Sequence, residues 1–406
     1  MGTFREIPPT AGIPIYRKDL FSLFKVKGRN VSLEDDFKRY LGVNYARLTC
    51  SGTAALYLLL ESLKNKFLKR TVVIPSYVCP LIPLAIKRAG FKVEVCDINR
   101  DNFDFNHAEL EDLCRANDDL LAIIAVHLAG IPVDFDFIKN LAEKHKILVI
   151  EDCAQSLGSL YKGKKVGTLG DFSFFSLCRG KGVTTYEGGM IVTNKEEFGV
   201  LIDSAIEKLV EDDFISEALL ISGLIGYWIF YRPLLFWFVF RLPQIFWNWR
   251  GQKLKAVMED FDIDFPVHSV SKIRQLIGHA AFHRLEQAIY EQREKASFYS
   301  ENLKKIKGIK IVGESAGATA TYPFLTLVFD DPLERVKALK IFDKFGLGAS
   351  QVYALAIADY EYLKDIVADR NCTNARWLAE RELTLSTSTF LDDADLNLIV
   401  DIVENL

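Results

Sequence analysis

Residues 170–189 read GDFSFFSLCRGKGVTTYEGG. The aromatic run at 172–176 suits a strand covered on both faces, and glycines at 180, 182, 188 and 189 punctuate the residues after it. Lys181 therefore sits between two glycines in a constrained loop, after one strand and before a glycine pair that leads into the next. Outward from this stretch, the same grammar of short apolar run, turn and helical spacing recurs from about residue 45 to 195. Strands are expected at 46–50, 71–74, 92–96, 121–126, 147–151, 172–176 and 190–193, with helical spacing at 53–63, 80–89 and 137–145. Such alternation predicts an α/β fold with a large, mainly parallel sheet. Beyond residue 200 the pattern changes to charged helical sequence, an apolar block, and an amphipathic stretch at 271–305. The remainder reads as a smaller α+β unit, with strands at 309–312 and 322–328 and helices at 333–345 and 393–404.

The chain has 406 residues, half of them hydrophobic and 26% charged, which is room for a large core and two domains. A formal net charge of −4 gives no general basic surface, so nucleic acid is not an expected partner. Seven cysteines (50, 79, 96, 114, 153, 178 and 372) form no CxxC pair and no Cys/His cluster with zinc spacing, so no metal site is expected and a reducing cytoplasm fits best. Residues 1–20 lack the basic, then apolar, pattern of a secretory signal.

Two further segments carry chemistry at strand ends, where open α/β sheets place ligands. At 50–56, CSGTAAL runs from a strand through a small-residue turn into a helix. Gly52 permits close backbone approach, and the free first-turn amides with the helix dipole favour an anion; a plain N-cap would use the same residues. At 149–156, VIEDCAQS brings carboxylates abruptly to the end of an apolar strand. In a buried site these require a cationic partner; at a solvated terminus they do not.

Taken together, SGTAAL, EDCAQS and the gap-free register from Asp171 to Gly189 resemble the DegT/DnrJ/EryC1/StrS family of sugar aminotransferases. Family-like stretches also lie at 74–99, 125–134 and 374–400, so the resemblance spans nearly all of the chain except about 200–265. It implies a fold-type I pyridoxal 5′-phosphate (PLP) enzyme, with a large PLP-binding domain at 1–200, a family-atypical apolar insertion at 201–265 and a small domain at 266–406. By the same resemblance Lys181 carries the cofactor as a Schiff base, and Asp152 holds the pyridinium proton. Gln155 lies against the ring or its 3′-oxygen, while Gly52, Thr53 and Ser176 bind the phosphate. The implied reaction moves an amino group, from L-glutamate, to a nucleotide-linked keto sugar for cell-surface polysaccharide, in a homodimer. A lysine rather than histidine at 181 favours transamination over the dehydratase chemistry of related members, and a membrane-associated member acting on a lipid-linked glycan is the rival of another kind.

The sequence departs from the family pattern in several places. Cys79 stands where an aromatic residue usually stacks on the cofactor, and Tyr77, two residues earlier, is the candidate substitute. Val267-His268-Ser269-Val270 replaces the segment that in the family reaches a neighbouring subunit's phosphate. Arg179 fits a surface ion pair or a substrate anion, and His127 a packed histidine or a cofactor contact. The block ALLISGLIGYWIFYRPLLFWFVFRLPQIFWNW at 218–249 is cut by Arg232-Pro233 and Arg241-Leu242-Pro243 into pieces too short to cross a membrane. It fits either dimer-interface core or a peripheral membrane contact on the inner face, with tryptophans at headgroup level.

Overall fold

The computed structural model describes residues 4–25, 32–368 and 372–406. Thirteen strands are present among them: β1 (Tyr45–Thr49), β2 (Thr71–Pro75), β3 (Lys92–Cys96), β4 (Leu120–Val126), β5 (Leu148–Asp152), β6 (Leu160–Tyr161), β7 (Lys164–Lys165), β8 (Phe172–Ser176), β9 (Gly189–Thr193), β10 (Ile309–Ile311), β11 (Ala318–Thr319), β12 (Phe324–Phe329) and β13 (Glu382–Ser386). Seven of them form one sheet in the order β1-β9-β8-β5-β4-β2-β3, in which only β9 runs against the rest. This is the large, mainly parallel sheet that the alternation of apolar runs and helical spacing predicted, with strand ends displaced by at most a residue or two. Alternate side chains supply two cores. Val72, Ile74, Ile124, Ile150 and Phe174 point to one face, and Val73, Ile123, Ala125, Val149 and Phe175 to the other. Helices cover both faces, which is why these strands carry apolar residues without a polar side.

A second, antiparallel sheet, β10-β12-β13, packs against the helices Leu285–Leu303, Pro332–Phe345 and Asp393–Glu404. Its core includes Tyr299, Leu325, Phe342 and Leu385, and also Ile7 from the far end of the chain. Arg5 makes a two-pronged bond to Asp395 at 2.7 and 2.6 Å, Ile7 N–H donates to the Gly346 carbonyl at 2.9 Å, and Ser386 Oγ donates to the Pro8 carbonyl at 2.6 Å. Gly346 has a φ of +63°, and a Cβ there would stand 1.9 Å from the Arg5 carbonyl oxygen, so only glycine admits the strap. Residues 5–8 thus belong to the core of the C-terminal sheet, whereas the expected division counted them with the large domain.

The amphipathic stretch at 271–305 forms two helices, Lys272–Phe282 and Leu285–Leu303. The apolar block forms three: Phe214–Phe230, Pro233–Val239 and Arg241–Trp249. Pro233 starts the second, where its missing N–H costs nothing. No described helix is long and apolar enough to cross a membrane.

Candidate active site

The carboxyl ends of β1, β2, β4, β5 and β8 open into one cavity of about 910 Å3. At the end of β1, Ser51 caps the Gly52–Leu63 helix by accepting from Ala54 N–H at 3.0 Å. The amides of Gly52 and Thr53 lie ahead of the helix's own hydrogen-bond ladder and so remain donors for an anion. Close packing holds this turn. A Cβ on Gly189 would lie 2.3 Å from the Ser51 carbonyl oxygen and 2.7 Å from Gly52 N, and one on Gly52 would lie 3.2 Å from Ser176 Cβ. The glycines therefore bring β9, the turn and Ser176 into mutual contact.

At the end of β5, Asp152 is 5% exposed and its Oδ1 accepts from Ala154 N–H at 2.9 Å. Burial pushes its carboxyl up to about 6, against the backbone donor and the nearby charge of Lys181. The adjacent Glu151 is committed elsewhere. Its two oxygens accept from the amides of Gly167, Leu169 and Gly170 at 2.7–2.8 Å, and His127 Nε2 lies 3.1 Å away. Val133 N–H donates to His127 Nδ1 at 3.3 Å, which leaves the histidine proton on Nε2, facing Glu151. His127 is thus a packed, hydrogen-bonded histidine whose ring still borders the cavity. Cys153 Sγ approaches this pair within 4.8 Å, but both partners are already bonded.

Lys181 projects from the loop after β8, where Gly180 has a φ of +73° and Lys181 N–H donates to the Cys178 carbonyl at 3.2 Å. Gln155 Oε1 accepts from Ala129 N–H at 2.9 Å, and its amide nitrogen has no partner among the described residues. The structure brings Gly52, Thr53, Asp152, Gln155, Ser176 and Lys181 to the wall of this single cavity. Tyr77 is the exception. Its ring is 1% exposed and stacks on Phe103, while its hydroxyl lies 2.9 Å from the Tyr353 carbonyl and 3.1 Å from Glu382 Oε1. It is anchored behind the wall, and Cys79 occupies the cavity side. Arg179 lies 3.1 Å from Glu187 on the cavity wall, and His268 is buried beside Glu217 at 3.4 Å.

Other cavity residues carried no motif. Tyr353 and Glu259 line it from irregular segments brought in by the C-terminal region and the insertion. Glu259 accepts from Ala354 N–H at 3.0 Å and Tyr360 hydroxyl at 2.5 Å, and burial raises its pKa. Tyr227 and Arg241 line it from the insertion helices; Arg241 binds Glu6 at 2.9 Å and Asp343 at 2.6 Å. One buried pair ties the insertion to the lysine loop. Arg274, fully buried, donates to Glu217 at 3.0 Å and to the carbonyls of Thr185 and Glu187.

The model of the DegT/DnrJ/EryC1/StrS aminotransferase family matches residues 22–204 and 269–404, skipping the insertion. A UDP-4-amino-4,6-dideoxy-N-acetyl-beta-L-altrosamine transaminase of Campylobacter jejuni is 26% identical over 91% of this chain and 87% of its own. GDP-perosamine synthase of Escherichia coli O157:H7 is 38% identical over 40% of this chain and 43% of its own. Among solved structures, Helicobacter pylori PseC, an aminotransferase involved in pseudoaminic acid biosynthesis, superposes with a TM-score of 0.76 at 17% identity, covering 99% of both chains. Spr1654 of Streptococcus pneumoniae, in a PLP form, gives 0.77 at 19% identity over 98% of both.

Proposed function

We propose, for a chain that belongs to the DegT/DnrJ/EryC1/StrS family and is thereby a PLP-dependent aminotransferase, that the amino group passes from L-glutamate to a nucleotide-linked keto sugar. The observation that carries this reading is the meeting of Lys181 and Asp152, from separate strand ends, in one cavity floored by a helix N-terminus. The residues present fit the cofactor. Asp152 is a buried carboxylate answered by a single backbone amide, which calls for a cation beside it, and the Gly52–Thr53 amides with Ser176 suit a phosphate. When bound, PLP supplies an electron sink for the carbon that gains or loses the amine.

The chain's own residues supply the rest. Asp152 holds the proton on the ring nitrogen, and the low-dielectric wall around it strengthens that hold. Lys181 anchors the cofactor and, once released, moves the proton between Cα and C4′. Gly52, Thr53 and Ser176 fix the phosphate, so that ring and lysine keep their mutual position. Gln155 donates from its amide nitrogen towards the ring oxygen. The relatives named for GDP- and UDP-linked sugars support a nucleotide-linked acceptor; a product for cell-surface polysaccharide is what the family resemblance implies. We take the working form to be a homodimer, as the family resemblance implies. Keto-sugar nucleotides screened with glutamate in an assay coupled to 2-oxoglutarate test the reading. Release that depends on one of them supports it, and none with any acceptor sinks it.

A further inference from the structure

The Arg241–Trp249 helix is amphipathic in the opposite sense to a surface helix. Arg241, Gln244 and Asn248 line the cavity, whereas Leu242, Ile245, Phe246 and Trp249 face outwards with 45, 52, 42 and 80% of their surface exposed. The Phe214–Phe230 helix likewise leaves apolar side chains outside. It buries Leu224 and Tyr227 and exposes Ile215, Leu219 and Ile225, and Phe238 is exposed between the two. An amphipathic helix ordinarily turns its apolar stripe to the core, and a contiguous exposed patch marks a surface meant to be covered.

Charge indicates what covers it. Residues 218–258 contain Arg232, Arg241, Arg250, Lys253 and Lys255 and no Asp or Glu, in a chain whose formal net charge is −4. Two of the five turn inwards, Arg232 to backbone carbonyls and Arg241 to Glu6 and Asp343. Arg250, Lys253 and Lys255 follow at the outer end, where Lys255 also pairs with Asp260 at 3.8 Å. Arg250 lies 4.9 Å from the Phe246 ring and Lys255 5.3 Å from that of Trp247. An anionic bilayer answers both features at once.

We propose that residues 214–258 dock flat on an anionic phospholipid surface, the apolar face entering the headgroup boundary and Arg250 and Lys253 meeting lipid phosphates. The helices lie on the surface, since none of those described is long enough to cross. Because they also wall the cavity, docking holds the substrate site within about one helix diameter, ~10 Å, of the headgroups.

Flotation of the purified full-length holoenzyme with vesicles of phosphatidylglycerol and phosphatidylcholine tests this, against pure phosphatidylcholine. The wild type is expected to float with the anionic vesicles and to be released by high salt. Phe238→Glu/Ile245→Glu/Trp249→Glu is expected to stay at the bottom while keeping the visible absorption of bound PLP. Arg250→Glu/Lys253→Glu is expected to lower partitioning at least about tenfold. Wild type that remains with the soluble fraction at every lipid composition overturns the proposal. So does a triple variant that still floats, or one whose only change is conversion of a dimer to a monomer in light scattering, which would make the face an interface between copies. Glutamate-driven conversion of the bound cofactor, measured without vesicles, reports on the catalytic reading separately.

Discussion

Asp152 combines burial with a single backbone donor, and this sets two expectations. Its folded-state pKa of about 6 lies above the unfolded value of 3.8, so the cofactor-free fold is favoured at low pH and loses that contribution as pH rises from about 4 to 6. Asp152→Asn removes the charge without the shape. It should leave the cofactor-free protein at least as resistant to urea at pH 8 as the wild type, yet lower kcat/KM by ~100-fold or more, as loss of about 3 kcal/mol at the transition state implies. A variant with near-wild-type kcat/KM would remove Asp152 from the ring nitrogen. Lys181→Ala should abolish turnover and the visible absorption of the bound cofactor, and borohydride should no longer fix label to the chain; a persisting reducible adduct would point to another lysine. These positions were legible because a phosphate turn, a strand-end carboxylate and a glycine-flanked lysine each need particular residue types at fixed spacing. Tyr77 departs from expectation for a physical reason. Which of two near neighbours in a loop faces the cavity depends on partners such as Tyr353 and Glu382, more than 270 residues away.

The insertion is tied to the lysine loop by the Phe214–Phe230 helix, whose Glu217 neutralises the buried Arg274. Glu217→Ala would strand that guanidinium among the carbonyls of the 185–187 turn. A loss of roughly 3–5 kcal/mol in urea stability is expected, together with weaker PLP binding measured by fluorescence titration. Unchanged PLP affinity would show that the insertion does not brace the loop. The parallel strands were readable because most are short apolar runs bounded by turn residues. Strands β6, β7 and β11 were not, since two-residue pairings leave no periodicity. β13 also escaped: it pairs through Glu382, a charged residue that sequence places outside, and only the fold buries it. The insertion could be recognised as apolar, but an apolar run fits a buried strand or a helix equally, and its outward-facing stripe appears only when Arg241 and Gln244 are seen against the cavity.

Across the whole molecule, one buried contact joins the large sheet to the C-terminal one. Tyr77, just after β2, and Glu382, at the start of β13, together hold the 352–353 backbone beside the cavity: Val352 N–H donates to Glu382 at 2.8 Å and Tyr353 N–H to the Tyr77 hydroxyl at 3.1 Å. Glu382 Oε2 is buried without a hydrogen-bond partner among the described residues, and burial pushes the carboxyl up to about 8. The folded state therefore keeps a proton that the unfolded chain has released above about 4.5, and the contribution to stability falls as pH rises from 4.5 to 8. Glu382→Gln should flatten that decline, its stability relative to wild type rising by on the order of 4 kcal/mol between pH 5 and pH 9 in urea titrations. Parallel curves for the two proteins would show that the carboxyl does not titrate there. The N-terminal strap has a different consequence, one of timing. A ribosome releases residues 5–8 hundreds of residues before it makes Ser386 and Asp395, their partners in the C-terminal core. The C-terminal core thus stays incomplete until synthesis reaches that point, and throughout translation Ile7 is an apolar side chain awaiting its site, open to chaperones that bind nascent chains.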